Sequence, residues 1–299
     1  MSELRDVIRR ELTDAGACAV GFASAGMVDD AAWDAYMSWL DSGSAGELGY
    51  MHRNLELRRD PRGLLEGCST LVCTAWNYLP AVLRGRDMPY IARYAYPPDY
   101  HKALRRILKP LCRSWQERFS GLSTRICIDS APLMERYWAV RSGVGFIGRN
   151  GVLIVPGTGS WVFLAEILLT AVLEPDIPCG LGCAGCGVCR SLCPSGALDE
   201  DGRVDCRRCL SALTVEVPGS APKLPQTPLA GCDCCQSGCP HNAGALPTEV
   251  PQLAAMPQVA GLSADEILAM DDEDFRDRFA GSALSRMGLE GLRANLSRL

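Results

Sequence analysis

The sequence predicts an α+β body followed by a ferredoxin-like, cluster-stapled segment. Three observations predict it. Strand-like and helix-like apolar periods alternate over residues 1–175. That periodicity then gives way, over residues 176–245, to cysteine, glycine and proline. Helical patterning returns over 246–299, as in SADEILAMDDEDFRDRFAG. The expected organisation is therefore a body over 1–175, a cluster domain over 176–245 and a helical segment over 246–299 packing on the core.

The elements follow in order. Leu4, Val7, Ile8 and Leu12 share one stripe, which predicts a helix over 4–15. ACAVGFA (17–23) predicts a short strand. Asp29 or Asp30 caps a helix that stops near Gly43. STLVCTAWNYL (69–79) predicts a buried strand, and IARYAY (91–96) another. From Asp99 onward, Ala103, Leu104, Ile107, Leu108, Leu111 and Trp115 line one helical face, with Pro110 placed to kink the helix. Lys102, Arg105, Arg106, Lys109 and Arg113 line another face, which on pattern alone reads as a solvated stripe before it reads as a phosphate-facing one. TRICIDSAP (124–132) predicts a strand ending at an acid, and ERYWAVRSGVGF a helix stopped by glycine. GVLIVPGTGSWVFLAEILL predicts two strands joined by a Pro-Gly-Thr-Gly turn.

The chain has 299 residues, 47% hydrophobic and 22% charged, with a net charge of −5. That charge argues against a general nucleic-acid binder but leaves room for a local basic face. MSELRDVIRRELTD lacks the apolar region of a signal peptide, and no run of about 18 apolar residues occurs. A cytoplasmic location is expected. The longest apolar stretch, Trp161 to Leu173, is interrupted by Glu166.

In a reducing compartment, 16 cysteines argue for metal ligation over disulfides. Eleven of them lie between Cys179 and Cys239. The other five, Cys18, Cys68, Cys73, Cys112 and Cys127, read as small core residues. Cys183, Cys186, Cys189 and Cys193 make C-x2-C-x2-C-x3-C-P, a spacing that zinc sites do not explain. In two-cluster ferredoxins the fourth cysteine of this run serves the other cluster. A second set follows at Cys232, Cys235 and Cys239, with Cys209 completing it. The expected ligands are Cys183, Cys186, Cys189 and Cys239 for one [4Fe–4S] cluster, and Cys193, Cys209, Cys232 and Cys235 for the other. Cys179, Cys206 and Cys234 are left over, each near enough in sequence to replace a neighbour. Two clusters make a wire, and the preceding 175 or so residues should house its electron acceptor.

GELGYMHRNLELRRDP, IARYAYPPDYH, DSAPLMERYWAVRSGVGFIGRNGVLI, GSWVFLAEILL, CRRCLSALTVE and GCDCCQSGCPHN occur in order, and together they resemble the epoxyqueuosine reductase family. The resemblance covers the whole chain and is to a short form without the C-terminal helical-repeat domain. It implies a fold related to the corrinoid reductases, two [4Fe–4S] clusters and a cobalamin. It also implies reduction of epoxyqueuosine to queuosine at the wobble position of a tRNA, fed by an external low-potential electron donor, in a monomer. Asp129 matches the family's proton donor. Its free pKa near 3.9 would leave about one in a thousand protonated at neutral pH, so burial is expected to raise it. Leu153, Ser211, Ala212 and Gln236 match positions near the corrin, and the glycines of GVGFIGRNG would let backbone approach it.

None of His52, His101 and His241 lies in an Asp-x-His-x-x-Gly motif, which implies a base-off cobalamin without a histidine ligand. The resemblance raises the basic stripe to a candidate tRNA contact and adds Arg58, Arg59, Arg286 and Arg293. Departures stand at Phe146 and Arg149, where the family often has Trp and Lys, at Ala212, where it often has Tyr, and at His241, where it usually has Trp. The rival readings are a two-cluster electron carrier, which would need no corrinoid, and a dehalogenase-like corrinoid enzyme.

Overall fold

The computed structural model describes residues 2–85 and 87–299. The chain opens with α1 (Ser2–Asp14), β1 (Ala19–Ser24), α2 (Asp30–Asp41), α3 (Leu55–Arg59) and β2 (Thr70–Asn77). It continues through α4 (Tyr100–Arg118), β3 (Thr124–Cys127), α5 (Glu135–Arg141), β4 (Phe146–Ile147), β5 (Leu153–Ile154) and β6 (Val162–Leu169). The cysteine-rich stretch carries the short helices α6 (Val188–Ser191), α7 (Leu210–Glu216) and α8 (Cys234–Ser237). The remainder holds α9 (Pro257–Ala260), α10 (Ala264–Ala269), α11 (Asp272–Phe279) and α12 (Gly288–Leu296).

Four strands form one sheet in the order β1-β2-β6-β3, each pair antiparallel. Both faces are covered. On one side, Phe22, Val72, Trp76 and Ile167 meet Leu4, Ile8 and Leu12 of α1 and Leu104, Leu108 and Trp115 of α4. On the other, Leu71, Cys73, Ala75 and Leu168 meet Trp138 and Ala139 of α5 and Trp33 of α2. Coverage of both faces is why β2 and β6 read as nearly continuous apolar runs rather than as an alternation. A third cluster gathers Ile91, Ala95 and Tyr96 with Leu229, Ala230 and the C-terminal Val259, Ile267, Phe279 and Leu292.

Two expectations are corrected. Residues 91–96 form no strand: Ile91 makes a single bridge to Ala230, and Arg93–Ala95 coils into a 3-10 turn. The neighbouring chain offers backbone partners only around Ala230, too few to sustain a ladder. The two strands expected within 151–169 are present as β5 and β6, on either side of the turn. β5 pairs with β4 over two residues, while β6 enters the main sheet. Of the five scattered cysteines, Cys68, Cys73, Cys112 and Cys127 are buried, but Cys18 is exposed and donates its thiol to the Ala75 carbonyl. α4 runs through Pro110, which faces solvent.

Candidate active site

Past β3 the chain makes two tight reversals. The Ser130 amide donates to the Ile128 carbonyl and the Leu133 amide to Ala131. Between them Asp129 sits at φ +49°, in the left-handed region that Asp tolerates better than most residues. Its own amide donates to Glu135 Oε1, at the first residue of α5, at 2.5 Å. Its carboxylate faces the first turn of α4: Tyr100 donates its hydroxyl to Oδ2 at 2.8 Å, and His101 Nε2 lies 3.0 Å from the same oxygen. His101 Nδ1 meets Asp99 Oδ1 at 2.8 Å, and that same oxygen accepts the His101 amide as cap of α4. The Tyr100 ring is sandwiched between His101 and Phe163, with centroids 4.1 Å and 4.3 Å away.

This geometry reverses the expected pKa of Asp129. Burial pushes it up, although 48% of the side chain stays open to solvent. Hydrogen bonds from His101 and Tyr100, with the charges of His101 and Arg286, outweigh that push and hold it below the ordinary carboxylate range. His101 moves the other way: its bond to Asp129 raises it, against desolvation, with Asp99 adding to the rise. The group pushed up is Glu135, to about 8, by burial and by the Asp129 charge.

Beside Asp129 the walls are aromatic and basic. Tyr50 is pushed up to about 12 by burial, with Glu216, Asp129, Arg286 and Cys206 close enough to act on it. Arg286 pairs with Glu216 at 2.6 Å. Beyond Tyr50 an apolar cavity of about 310 Å³ is lined by Gly46, Leu48, Cys206, Ala212, Leu213 and Val217. Ala212 thus faces open space, and Ser211 next to it is half-buried. Gln236 accepts from Ser160 at 3.0 Å. Leu153 is turned into the core at 3% exposure, so only its backbone can meet a ligand.

The glycines of GVGFIGRNG serve the protein itself. A Cβ at Gly143 would strike the Ile177 carbonyl, at Gly145 the Ile154 carbonyl, and at Gly148 the Asn150 side chain. Their missing side chains make room for neighbouring chain. Two of the departures from the family pattern touch each other, with the Phe146 and His241 rings edge to face at 5.2 Å.

Several cysteines of the segment stand close enough to act on one another, Cys232 and Cys234 among them. Cys189 is raised by burial and then by Cys183 and Cys186. Cys235 is pushed up to about 12 by burial and then by Cys209 and Cys193. Among the described residues no three ligand side chains converge tightly enough for a single ion; a four-iron cluster holds its thiolates farther apart than one ion does.

The basic residues divide. Lys102, Arg105, Arg106, Lys109 and Arg113 are all exposed on α4, the helix whose first turn grips Asp129. Arg293 instead donates to the carbonyls of Ile267, Leu268 and Met270, and Arg58 to those of Arg53 and Tyr50. Arg59 pairs with Asp30. These three hold the fold, and only Arg286 of the added four stands at the site. Sequence reasoning missed Tyr100, His101, Glu135 and Glu166 as partners of Asp129. His101 was weighed only as a cobalt ligand, and the single signal for Glu166 was a charge inside an apolar strand.

Proton chemistry set against a two-cluster ligand set is the arrangement of an iron–sulfur oxidoreductase. Comparisons with known proteins make the class specific. A family model described as "Epoxyqueuosine reductase QueG, DUF1730" matches residues 58–130, and one described as "4Fe-4S double cluster binding domain" matches residues 182–242. The epoxyqueuosine reductase of Gloeobacter violaceus is 37% identical over 290 residues, covering 92% of this chain and 89% of that protein. That of Escherichia coli K12 is 34% identical, covering 90% and 74%.

The solved epoxyqueuosine reductase of Streptococcus thermophilus superposes with a TM-score of 0.88 at 26% identity, over 100% of this chain and 80% of that one. A structure of an epoxyqueuosine reductase with a tRNA-Tyr epoxyqueuosine-modified stem loop gives 0.85 at 26% identity, over 98% and 80%. The chain belongs to the epoxyqueuosine reductase family, and its cysteine-rich segment is a double [4Fe–4S] domain.

Proposed function

We propose that the chain reduces epoxyqueuosine in a tRNA to queuosine, with Asp129 as the acid, a cobalamin as the immediate reductant and two [4Fe–4S] clusters feeding it from an external donor. The observation that carries this reading is the Asp129 carboxylate, open to solvent yet gripped by Tyr100 and His101. A pure electron carrier has no use for such an acid. The stem-loop complex of a relative supports tRNA as substrate. The exposed stripe from Lys102 to Arg113 gives phosphates a surface continuous with the site.

The residues fit a corrinoid without a histidine ligand. His101 spends both ring nitrogens on Asp99 and Asp129, and His241 packs against Phe146. Ser211, Ala212, Gln236 and the Leu153 backbone would hold it, with the apolar cavity beside Ala212 receiving its edge. When bound, the cofactor supplies low-potential electrons to the epoxide carbon. Converting an epoxide to an alkene consumes two electrons and two protons and releases water. The chain's task is the protons. Asp129 raises His101 and His101 lowers Asp129, so the pair favours the proton on the imidazole, with Nε2 facing Asp129 Oδ2. Asp129 takes that proton as alkoxide charge develops on the leaving oxygen and passes it on. Tyr100 fixes the carboxylate's orientation through its own hydroxyl.

One relative has been solved with its catalytic aspartate loop swung out of the active site. The corresponding segment here is the loop around Asp129. The test is nucleoside mass spectrometry on tRNA incubated anaerobically with the cluster- and corrinoid-loaded protein. Conversion of epoxyqueuosine to queuosine is expected. Unchanged epoxyqueuosine, with clusters that still reduce and reoxidise, overturns the proposal.

A further inference from the structure

A second cleft, of about 370 Å³, opens beside the apolar cavity at Ala212. It shares Arg207, Leu213 and Ser220 with that cavity, so the two form one continuous depression along α7. Its walls are of two kinds. Arg207 and Arg208, with the hydroxyls of Ser195 and Ser220, offer cations and hydrogen-bond donors. Pro194, Pro222 and Leu224 offer flat apolar surface. Among the described residues no acidic side chain lines it. The two arginines differ. Arg207 is tied to Asp205, with Nε and Nη2 each 2.9 Å from a carboxylate oxygen, and forms the wall between cleft and cavity. Arg208 is exposed and has neither an ion pair nor a side-chain hydrogen bond among the described residues. Its Nη2 lies 2.7 Å from where a Cβ of Gly196 would stand, so the glycine leaves room for the guanidinium at the cleft wall.

We propose that this cleft binds the nucleotide tail of the corrinoid, with Arg208 holding the tail's phosphodiester. The inference rests on the reading that a cobalamin occupies the cavity beside Ala212. A corrinoid whose own base is off the cobalt has a free tail, and that tail needs a site of its own. The ring's side chains are neutral amides, so the phosphodiester is the one anion the tail brings. A planar guanidinium fork without a partner suits it, since arginine meets phosphate oxygens through two parallel hydrogen bonds. The rest of the tail is a sugar and a flat aromatic base. Ser195 and Ser220 suit the sugar hydroxyls, and Pro194, Pro222 and Leu224 suit the base. A phosphate of the RNA backbone would offer Arg208 the same anion, but it would leave the apolar half of the cleft unused.

The test is equilibrium dialysis of the cluster-loaded, corrinoid-free full chain against two corrinoids. Cobalamin carries the tail; cobinamide has the same ring without phosphodiester, sugar or base. The wild-type protein should bind cobalamin about tenfold or more tightly than cobinamide. Arg208→Gln should weaken cobalamin about tenfold and leave cobinamide within about twofold. The unchanged cobinamide affinity, with unchanged iron content, shows that the variant is folded. Arg208→Lys, which keeps the charge but loses the fork, should recover part of the preference. Equal binding of the two corrinoids by the wild-type protein overturns the proposal, as does an equal loss of both in Arg208→Gln. If Arg208→Gln keeps the preference for cobalamin but weakens binding of tRNA, the anion held there is an RNA phosphate and the proposal fails. Binding of neither corrinoid by the wild-type protein overturns the cobalamin reading itself, a result distinct from tight binding that ignores the tail.

Discussion

The main sheet and the cysteine-rich segment are built on opposite principles. In β2, seven of eight residues are buried, and Trp76, Phe22, Leu71 and Trp115 around it are fully so. Over residues 176–187, every side chain is exposed or half-exposed, and Ile177 and Leu181 stand open at 86% and 60%. The sheet is stabilised by apolar area withdrawn from water. The cysteine-rich segment buries fewer and smaller groups, such as Ala197, Leu198, Leu210 and Ala230, and carries most of its cysteines on half-exposed loops and short helices. The proposed site draws on both: the loop after β3 carries Asp129, and α7 lines a cavity beside Cys206.

The sharpest way to break this comparison is to remove cluster ligands. Cys193→Ala and Cys232→Ala should each abolish the same cluster and all turnover, whereas Cys183→Ala abolishes the other. Electron paramagnetic resonance of the reduced variants distinguishes them, and near-ultraviolet circular dichroism of the tryptophan-rich sheet should persist throughout. Next in size, Asp129→Asn should lower kcat by about 10²–10⁴-fold with the clusters still reducible.

His101→Gln should cost about 10²-fold and remove the alkaline limb of the pH–rate profile. The sign follows from the shift: a raised His101 pKa means that the imidazolium, and the stability its pairing with Asp99 and Asp129 contributes, is fully present below the unfolded value and is lost as pH rises through the folded one. A profile unchanged by the substitution would place the proton elsewhere.

On the sheet side, Trp76→Ala should destabilise by about 3–5 kcal/mol, measured by denaturant unfolding, because a fully buried indole bonded to Thr74 is lost. The smallest effect is expected at the capping box of α10. Ser263→Ala removes an acceptor for the Glu266 amide, at about 1 kcal/mol, with no change in cluster content.

Much of this was legible beforehand, for reasons that differ between the regions. Apolar period placed α1, α2, α4, β2 and β6 to within a few residues, because helix and strand periodicities are local properties of the chain. It misplaced 91–96, where an apolar, aromatic run looks like a strand but finds partners only at Ala230 and among the C-terminal helices. Cysteine spacing revealed the double-cluster segment because a cluster's geometry constrains sequence distance directly. The glycines of GVGFIGRNG carried the correct signal of close approach but not the identity of what approaches.

The sequence by itself determined the α+β body, the double-cluster segment and the family, and it singled out Asp129 as the candidate acid. Each is written in a short run of residues whose spacing is the chemistry. Only the tertiary structure decided how that acid is tuned. Tyr100 and His101 stand about 28 residues from Asp129, and Glu166 another 37 beyond it. No local pattern ties them together, and the sign of a pKa shift depends on which neighbour wins. Burial alone would have raised Asp129, but the hydrogen bonds that α4 delivers lower it, and His101 is raised in return.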